Sequence, residues 1–206
     1  MNPKRVGILV FPDVEILDFC GPYEVFSATR LNPARRREEP SPFEVSLVGE
    51  TTGIITATGG LKFIPHCTLE DCPAIHILVI PGGWGVRTEI NNERIIGWVK
   101  NRAREAETVA SVCTGSMLLG RAGLLEGRRA TTHWGSFNWM RDSFPDVTVE
   151  EKLHVVDEGD LITSAGISAG IDMALRVVMR CFGEVVARET AKYMEYPFPD
   201  DNARRI

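Results

Sequence analysis

TVASVCTGSMLLGRAGLL, residues 108 to 125, reads as a strand running into a helix with a cysteine at the join. Val109, Ala110 and Val112 form a compact apolar run. Met117, Leu118 and Leu119, then Ala122 and Leu125, recur at helical spacing and mark one buried face. Cys113 lies between the two patterns, and its neighbours Ser111, Thr114, Gly115 and Ser116 are all small. A nucleophile on a sharp strand-to-helix turn needs such neighbours, because the backbone there is strained and closely packed. The stretch therefore predicts a nucleophile-elbow cysteine in a parallel-sheet protein.

The flanking sequence repeats the alternation. RVGILVF (5–11), FEVSLVG (43–49) and IHILVIPGG (75–83) read as strands, the first and last as fully buried ones. EILDFCGPYEVFSATRL (15–31) has helical spacing with Gly21-Pro22 expected to bend or restart it, and NERIIGWVKNRAREA (92–106) is amphipathic. GIITATGGLKFIPHCTL (53–69) reads as two strands about a Gly-Gly turn, and the proline-bounded segment 32–42 as a solvated loop. GSFNWMRDSF is helix-like. VTVEEKLHVVDEGDLITSAG (147–166) alternates around an Asp-Glu-Gly turn, and 169–194 is helical with a break at Gly183. Strands alternating with helices predict an α/β three-layer sandwich with a mostly parallel central sheet, as a single domain over residues 1–206 without internal repeats.

The chain of 206 residues is long enough to bury a proper core, and its net charge of −5 argues against nucleic acid or an anionic membrane as partner. No apolar run approaches a membrane span. VGILVF stops at Pro12, which also rules out a signal peptide's apolar segment, so a cytoplasmic protein is expected. Of five cysteines, Cys67 and Cys72 are close in sequence, but no second pair completes a zinc site, and a cage of these two with His66 is a weak alternative to reduced thiols. PGGWG is too short for a dinucleotide fingerprint. No metal or cofactor is expected.

In parallel α/β sheets ligands bind beyond the carboxyl ends of the strands. Cys113 follows strand 108–112, Gly82 and Gly83 follow strand 76–80, and Asp18 follows strand 5–11, so the topology predicts one shared rim. The turn would point N–H groups at Cys113 and favour its thiolate. The backbone N–H groups of Gly82, Gly83 and Thr114 would form an oxyanion hole. Glu24 is expected to be peripheral.

In order along the chain, GILVFPDVEILDFCGPYEVF, ILVIPGG, ASVCTGSMLLGRAGLLEGRRATTHW and ITSAGISAGIDMAL resemble the motifs of the ThiJ/PfpI superfamily, over about residues 4–195. The resemblance implies the class I glutamine-amidotransferase-like, flavodoxin-like fold. Its motifs are most similar to those of isonitrile hydratases and of the ligand-sensing domains of AraC-type regulators. It implies Cys113 as nucleophile, Asp18 as the acid beside its sulfur, and Thr114 as a group that positions water or substrate. His133 is implied near the cysteine, where it would polarise substrate or pair with a carboxylate, and Ile167 and Ser168 as residues that line the pocket. Thr114 stands where proteolytic relatives carry histidine, and the late histidine of glutamine amidotransferases is missing, so both of those activities are disfavoured.

The function expected is therefore hydration of an isonitrile to an N-formamide, a lyase reaction through a Cys113 thioimidate on a small-molecule substrate. The alternatives are a stand-alone ligand or redox sensor and a reactive-carbonyl scavenging hydrolase. Regulators of this type append a DNA-binding region, and none is expected after PFPDDNARRI. The resemblance also implies a homodimer, with Cys20 and Tyr23 near the interface.

Overall fold

The computed structural model describes residues 2–205. Strand β1 (Lys4–Leu9) leads into helix α1 (Ile16–Ala28), followed by β2 (Phe43–Gly49), the short β3 (Ile55–Thr56), β4 (Lys62–Phe63) and β5 (Cys67–Thr68). Next come β6 (Ile77–Ile80), α2 (Val86–Glu89), α3 (Glu93–Glu105), β7 (Thr108–Val112) and α4 (Gly115–Arg121). The remainder is β8 (Arg129–Ala130), α5 (Phe137–Ser143), β9 (Thr148–Val149), β10 (Val155–Asp157), β11 (Leu161–Ser164), α6 (Ala169–Phe182) and α7 (Glu184–Tyr193).

Seven strands form one sheet in the order β10-β11-β7-β6-β1-β2-β5, and only the β10–β11 hairpin is antiparallel. This is the α/β fold with a mostly parallel central sheet that the alternation predicts. The central strands β1, β6 and β7 are covered on both faces, which explains their unbroken apolar runs. Helices α1, α6 and α7 pack together on one side, and α2, α3 and α4 on the other. Helix α3 shows why a polar sequence still folds. Asn92 caps its first turn through Arg94 N and Ile95 N, and Ile95, Ile96 and Val99 are its buried stripe. The cap contributes about 1 kcal/mol. Each fully buried aliphatic side chain, such as Leu118 or Leu119 of α4, contributes ~1.5–3 kcal/mol.

One local expectation changes. Gly21-Pro22 does not restart the helix: α1 runs unbroken through Pro22. Both residues are buried where α1 packs on α6, and that packing outweighs the lost backbone bond. The segment 147–166 forms the expected hairpin, β10 and β11 turning at Glu158 and Gly159, while β9 pairs with β8 apart from the main sheet.

Register sets the site. Ile80 of β6 lies opposite Ser111, and Val112 lies opposite Ser164 of β11, so three strands end together at one rim. No helix among the described residues is long and apolar enough to cross a membrane.

Candidate active site

The rim is built around a strained residue. Cys113 has φ of 56°, in the left-handed region that costs a non-glycine residue ~1–3 kcal/mol unless its surroundings hold it. Here they do. Its N–H donates to the carbonyls of Ser164 (3.2 Å) and Ala165 (3.1 Å), and its own carbonyl accepts from Ser116 Oγ (3.1 Å) and Thr132 Oγ1 (3.0 Å). The small residues read from sequence are small because the chain is crowded here. A Cβ on Gly115 would lie 2.0 Å from the Ile80 carbonyl oxygen, and one on Gly82 would lie 2.6 Å from Thr114 N.

Asp18, in the first turn of α1, is fully buried beside this elbow. Gly82 N–H donates to its Oδ2 at 2.8 Å, and Oδ1 has no conventional hydrogen-bond partner. Burial pushes the Asp18 carboxyl well above the usual carboxylate range. The bond from Gly82 opposes this, Glu15 reinforces it, and the Cys113 thiol gives the anion a smaller measure of support. The carboxyl therefore favours keeping its proton.

The expected thiolate is not what the surroundings favour. Burial first, then Asp18 whenever its carboxyl ionises, pushes the Cys113 thiol up, although Thr114 supports the anion through its N–H and hydroxyl. Helix α4 is only seven residues long, and its dipole does not offset near-complete burial of the sulfur. Thiol and carboxyl thus form a pair in which both partners tend to hold protons.

The oxyanion hole also differs from expectation. Gly82 N–H is committed to Asp18, and Gly83 N–H donates to Thr114 Oγ1 at 3.1 Å. Of the three expected donors, Thr114 N–H is the one that supports the anionic form of the sulfur. The two glycines hold the acid and the threonine hydroxyl rather than presenting free donors.

A cleft of about 290 Å³ opens over Cys113, and Gly83, Thr114, His133 and Ile167 line it. Asp18 and Gly82 lie beneath its wall. His133 Nδ1 accepts from Gly135 N at 3.1 Å, so the neutral ring carries its proton on Nε2. Burial, then the charge of Arg204, lowers the His133 pKa and keeps the ring neutral. The residues not singled out from sequence are Glu15, Arg87, Trp134, Gly135 and Ser136, which reach the cleft from loops or short helices. Trp84 lines it as well.

The other candidates are occupied otherwise. His66 Nδ1 accepts from Leu47 N at 2.9 Å, which removes that nitrogen from any cage with Cys67 and Cys72. Glu24 is exposed on α1. An element absent from the sequence expectations is the C-terminal strap. Asn202 pairs with the Val155 backbone in both directions, at 2.9 and 2.7 Å. Arg204 Nη2 donates to Thr131 Oγ1 (2.6 Å) and to the Thr132 carbonyl (3.1 Å), just behind Cys113.

The model of the DJ-1/PfpI family matches residues 4–180. The chain belongs to the DJ-1/PfpI family. It is 37% identical over 193 residues to isonitrile hydratase of Pseudomonas putida, covering 93% of this chain and 78% of that one. It is 27% identical over 195 residues to the HTH-type transcriptional regulator GbdR of Pseudomonas aeruginosa, of which it spans 51%. Among solved structures, a ThiJ/PfpI family protein from Pseudomonas syringae superimposes with a TM-score of 0.84 at 29% identity, covering 98% of this chain and 79% of that one. Enzyme and regulator relatives thus share this fold, and the chemistry must be argued from the cleft.

Proposed function

We propose that the protein is a cysteine-dependent hydratase that converts an isonitrile into an N-formamide through a thioimidate on Cys113. The supporting observation is a thiol on a strained elbow beside a buried carboxyl that favours its proton, with threonine rather than histidine next in the chain. An isonitrile carbon must gain a proton as sulfur bonds to it, and a protonated acid suits that step.

Asp18 gives its proton to the isonitrile carbon while Cys113 sulfur bonds to the same carbon. The thiol proton passes to the Asp18 carboxylate, so isonitrile plus thiol yields thioimidate and the acid is restored. Water then adds to the thioimidate carbon. Asp18 protonates the nitrogen and takes a proton from the water. Collapse of the adduct breaks the carbon–sulfur bond, returns a proton to sulfur through Asp18, and releases the N-formamide. Thr114 holds sulfur and water in place, and His133 Nε2–H faces substrate as a neutral donor.

Similarity to isonitrile hydratase supports this reading. Similarity to a regulator supports a second one, in which the same cleft binds a ligand without turnover. Formamide appearance from an aryl isonitrile, followed by ultraviolet absorbance, separates the two. The wild-type protein is expected to turn over and Cys113→Ala to lose all activity. Binding without turnover by the wild type would leave the ligand-sensing reading in possession.

A further inference from the structure

The mouth of the Cys113 cleft carries a cation that the hydration chemistry does not use. Arg87, in the short helix α2, lines the cleft and is exposed. Its guanidinium lies 4.4 Å from the ring centroid of Trp84 and 5.3 Å from that of Trp139, and no carboxylate of the described residues is paired with it. The two indoles hold the planar fork in place, which reduces the side-chain entropy lost on ligand binding. They also leave its N–H donors free.

Charge is graded along the cleft. Glu15 lines the cleft and is tied by backbone bonds to Gly82 (2.9 Å) and Asp18 (3.2 Å), so it marks the inner, chemical end. Arg87 lines the same cleft but is exposed where Cys113 is buried, which places it at the outer end. Trp134, 60% exposed, adds an indole at the mouth, and its ring is not covered by a guanidinium. A ligand matched to this gradient has an uncharged reactive head, a flat apolar middle and an anionic tail. A single guanidinium with no second cation beside it suits a carboxylate, which it can meet with two parallel hydrogen bonds, better than a doubly charged phosphate. The cleft volume of about 290 Å³ fits a one-ring molecule.

We propose that Arg87 is a carboxylate-binding, specificity-determining residue, and that the preferred substrate class is an isonitrile carried on an aromatic or similarly flat carboxylic acid. The reaction named here rests on the proposed hydration; the binding does not.

The test compares 4-isocyanobenzoate with the neutral 4-isocyanotoluene. The wild-type kcat/KM ratio is expected to favour the carboxylate, and Arg87→Met to lower that ratio about tenfold, the scale of one charge-assisted contact at a partly solvated site. An unchanged ratio in Arg87→Met overturns the proposal. Binding is read separately with 4-formamidobenzoate and its neutral methyl analogue, through quenching of tryptophan fluorescence. Should neither isonitrile be hydrated, carboxylate-selective binding that Arg87→Met abolishes would uphold the subsite while the hydratase reading falls. Equal binding of both probes would overturn the subsite whatever the chemistry.

Discussion

Two aspartates stand in the first turns of helices that pack on each other, Asp18 in α1 and Asp172 in α6, and both are almost fully buried. Their surroundings are opposite. Asp172 receives the Tyr196 hydroxyl at 2.8 Å, has Arg205 Nη2 2.7 Å from Oδ2, and has His154 Nε2 at 3.2 Å. Asp18 receives one backbone N–H and lies beside the Cys113 thiol, with a second carboxylate, Glu15, adding repulsion. The first aspartate is a charge the fold compensates and uses to tie down its C-terminal strap. The second is a carboxyl left short of partners beside a nucleophile. A buried acid without compensation destabilises a fold and suits proton transfer, so the contrast separates a structural carboxylate from a chemical one.

The sharpest way to break this contrast is Asp18→Asn. The amide oxygen can still accept from Gly82 N–H, so the fold is kept while the proton is lost. Hydration is expected to fall by about 10²–10⁴-fold, or ~3–5 kcal/mol of barrier. The same variant tests linkage. A carboxyl whose folded pKa is raised contributes stability in full below its unfolded pKa and loses that contribution as pH rises through the folded value. The Tm of Asp18→Asn relative to wild type is therefore expected to climb from the acid range toward neutrality. A pH-independent Tm difference would show that Asp18 ionises in the folded protein as freely as in the unfolded one.

Asp172→Ala should do the reverse. It leaves the Tyr196 hydroxyl without its acceptor and Arg205 without its carboxylate, and Arg205 is 43% exposed, so water recovers part of that loss. A destabilisation of about 2–4 kcal/mol is expected in denaturant titration. Activity per folded molecule should stay within about twofold on this reasoning. A folded Asp172→Ala protein that lacks turnover would erase the distinction between the two acids.

The same contrast marks what a linear sequence can reveal. Cys113, Thr114 and Gly82 are legible because a tight strand-to-helix turn has local chemistry, with small residues where backbones nearly touch. Parallel order made the shared rim legible too, since strands of one sheet must end on the same side. Asp18 depended on a family resemblance, because nothing in EILDF distinguishes a proton donor from a first-turn charge. The protonation of the pair was not legible. Turn geometry favours a thiolate, but burial is a property of the assembled core, and here it decides the direction. Arg87 and Trp134 come from short segments whose aim only the packed structure sets. The C-terminal strap was not legible, because its pairing depends on the edge strand β10 of the assembled sheet.

That strap supplies the smallest and most local test of how the site is held. Arg204 donates twice to the Thr131–Thr132 segment, rests on the Phe137 ring at 4.7 Å, and is one of the charges that lower the His133 pKa. Arg204→Met keeps the apolar contact and removes the donors and the charge, so a loss of about 1–2 kcal/mol of stability is expected. His133 should titrate at higher pH than in the wild type, because the cation is gone, while burial still holds it below the usual imidazole value. The sign follows from linkage: a base with a lowered folded pKa stabilises the protein least below that pKa, so the variant should lose less stability on acidification through the histidine range. Histidine NMR titration reads the midpoint directly. An unmoved midpoint would mean that Arg204 braces the backbone behind Cys113 without tuning the imidazole, and would separate the strap's mechanical role from its electrostatic one.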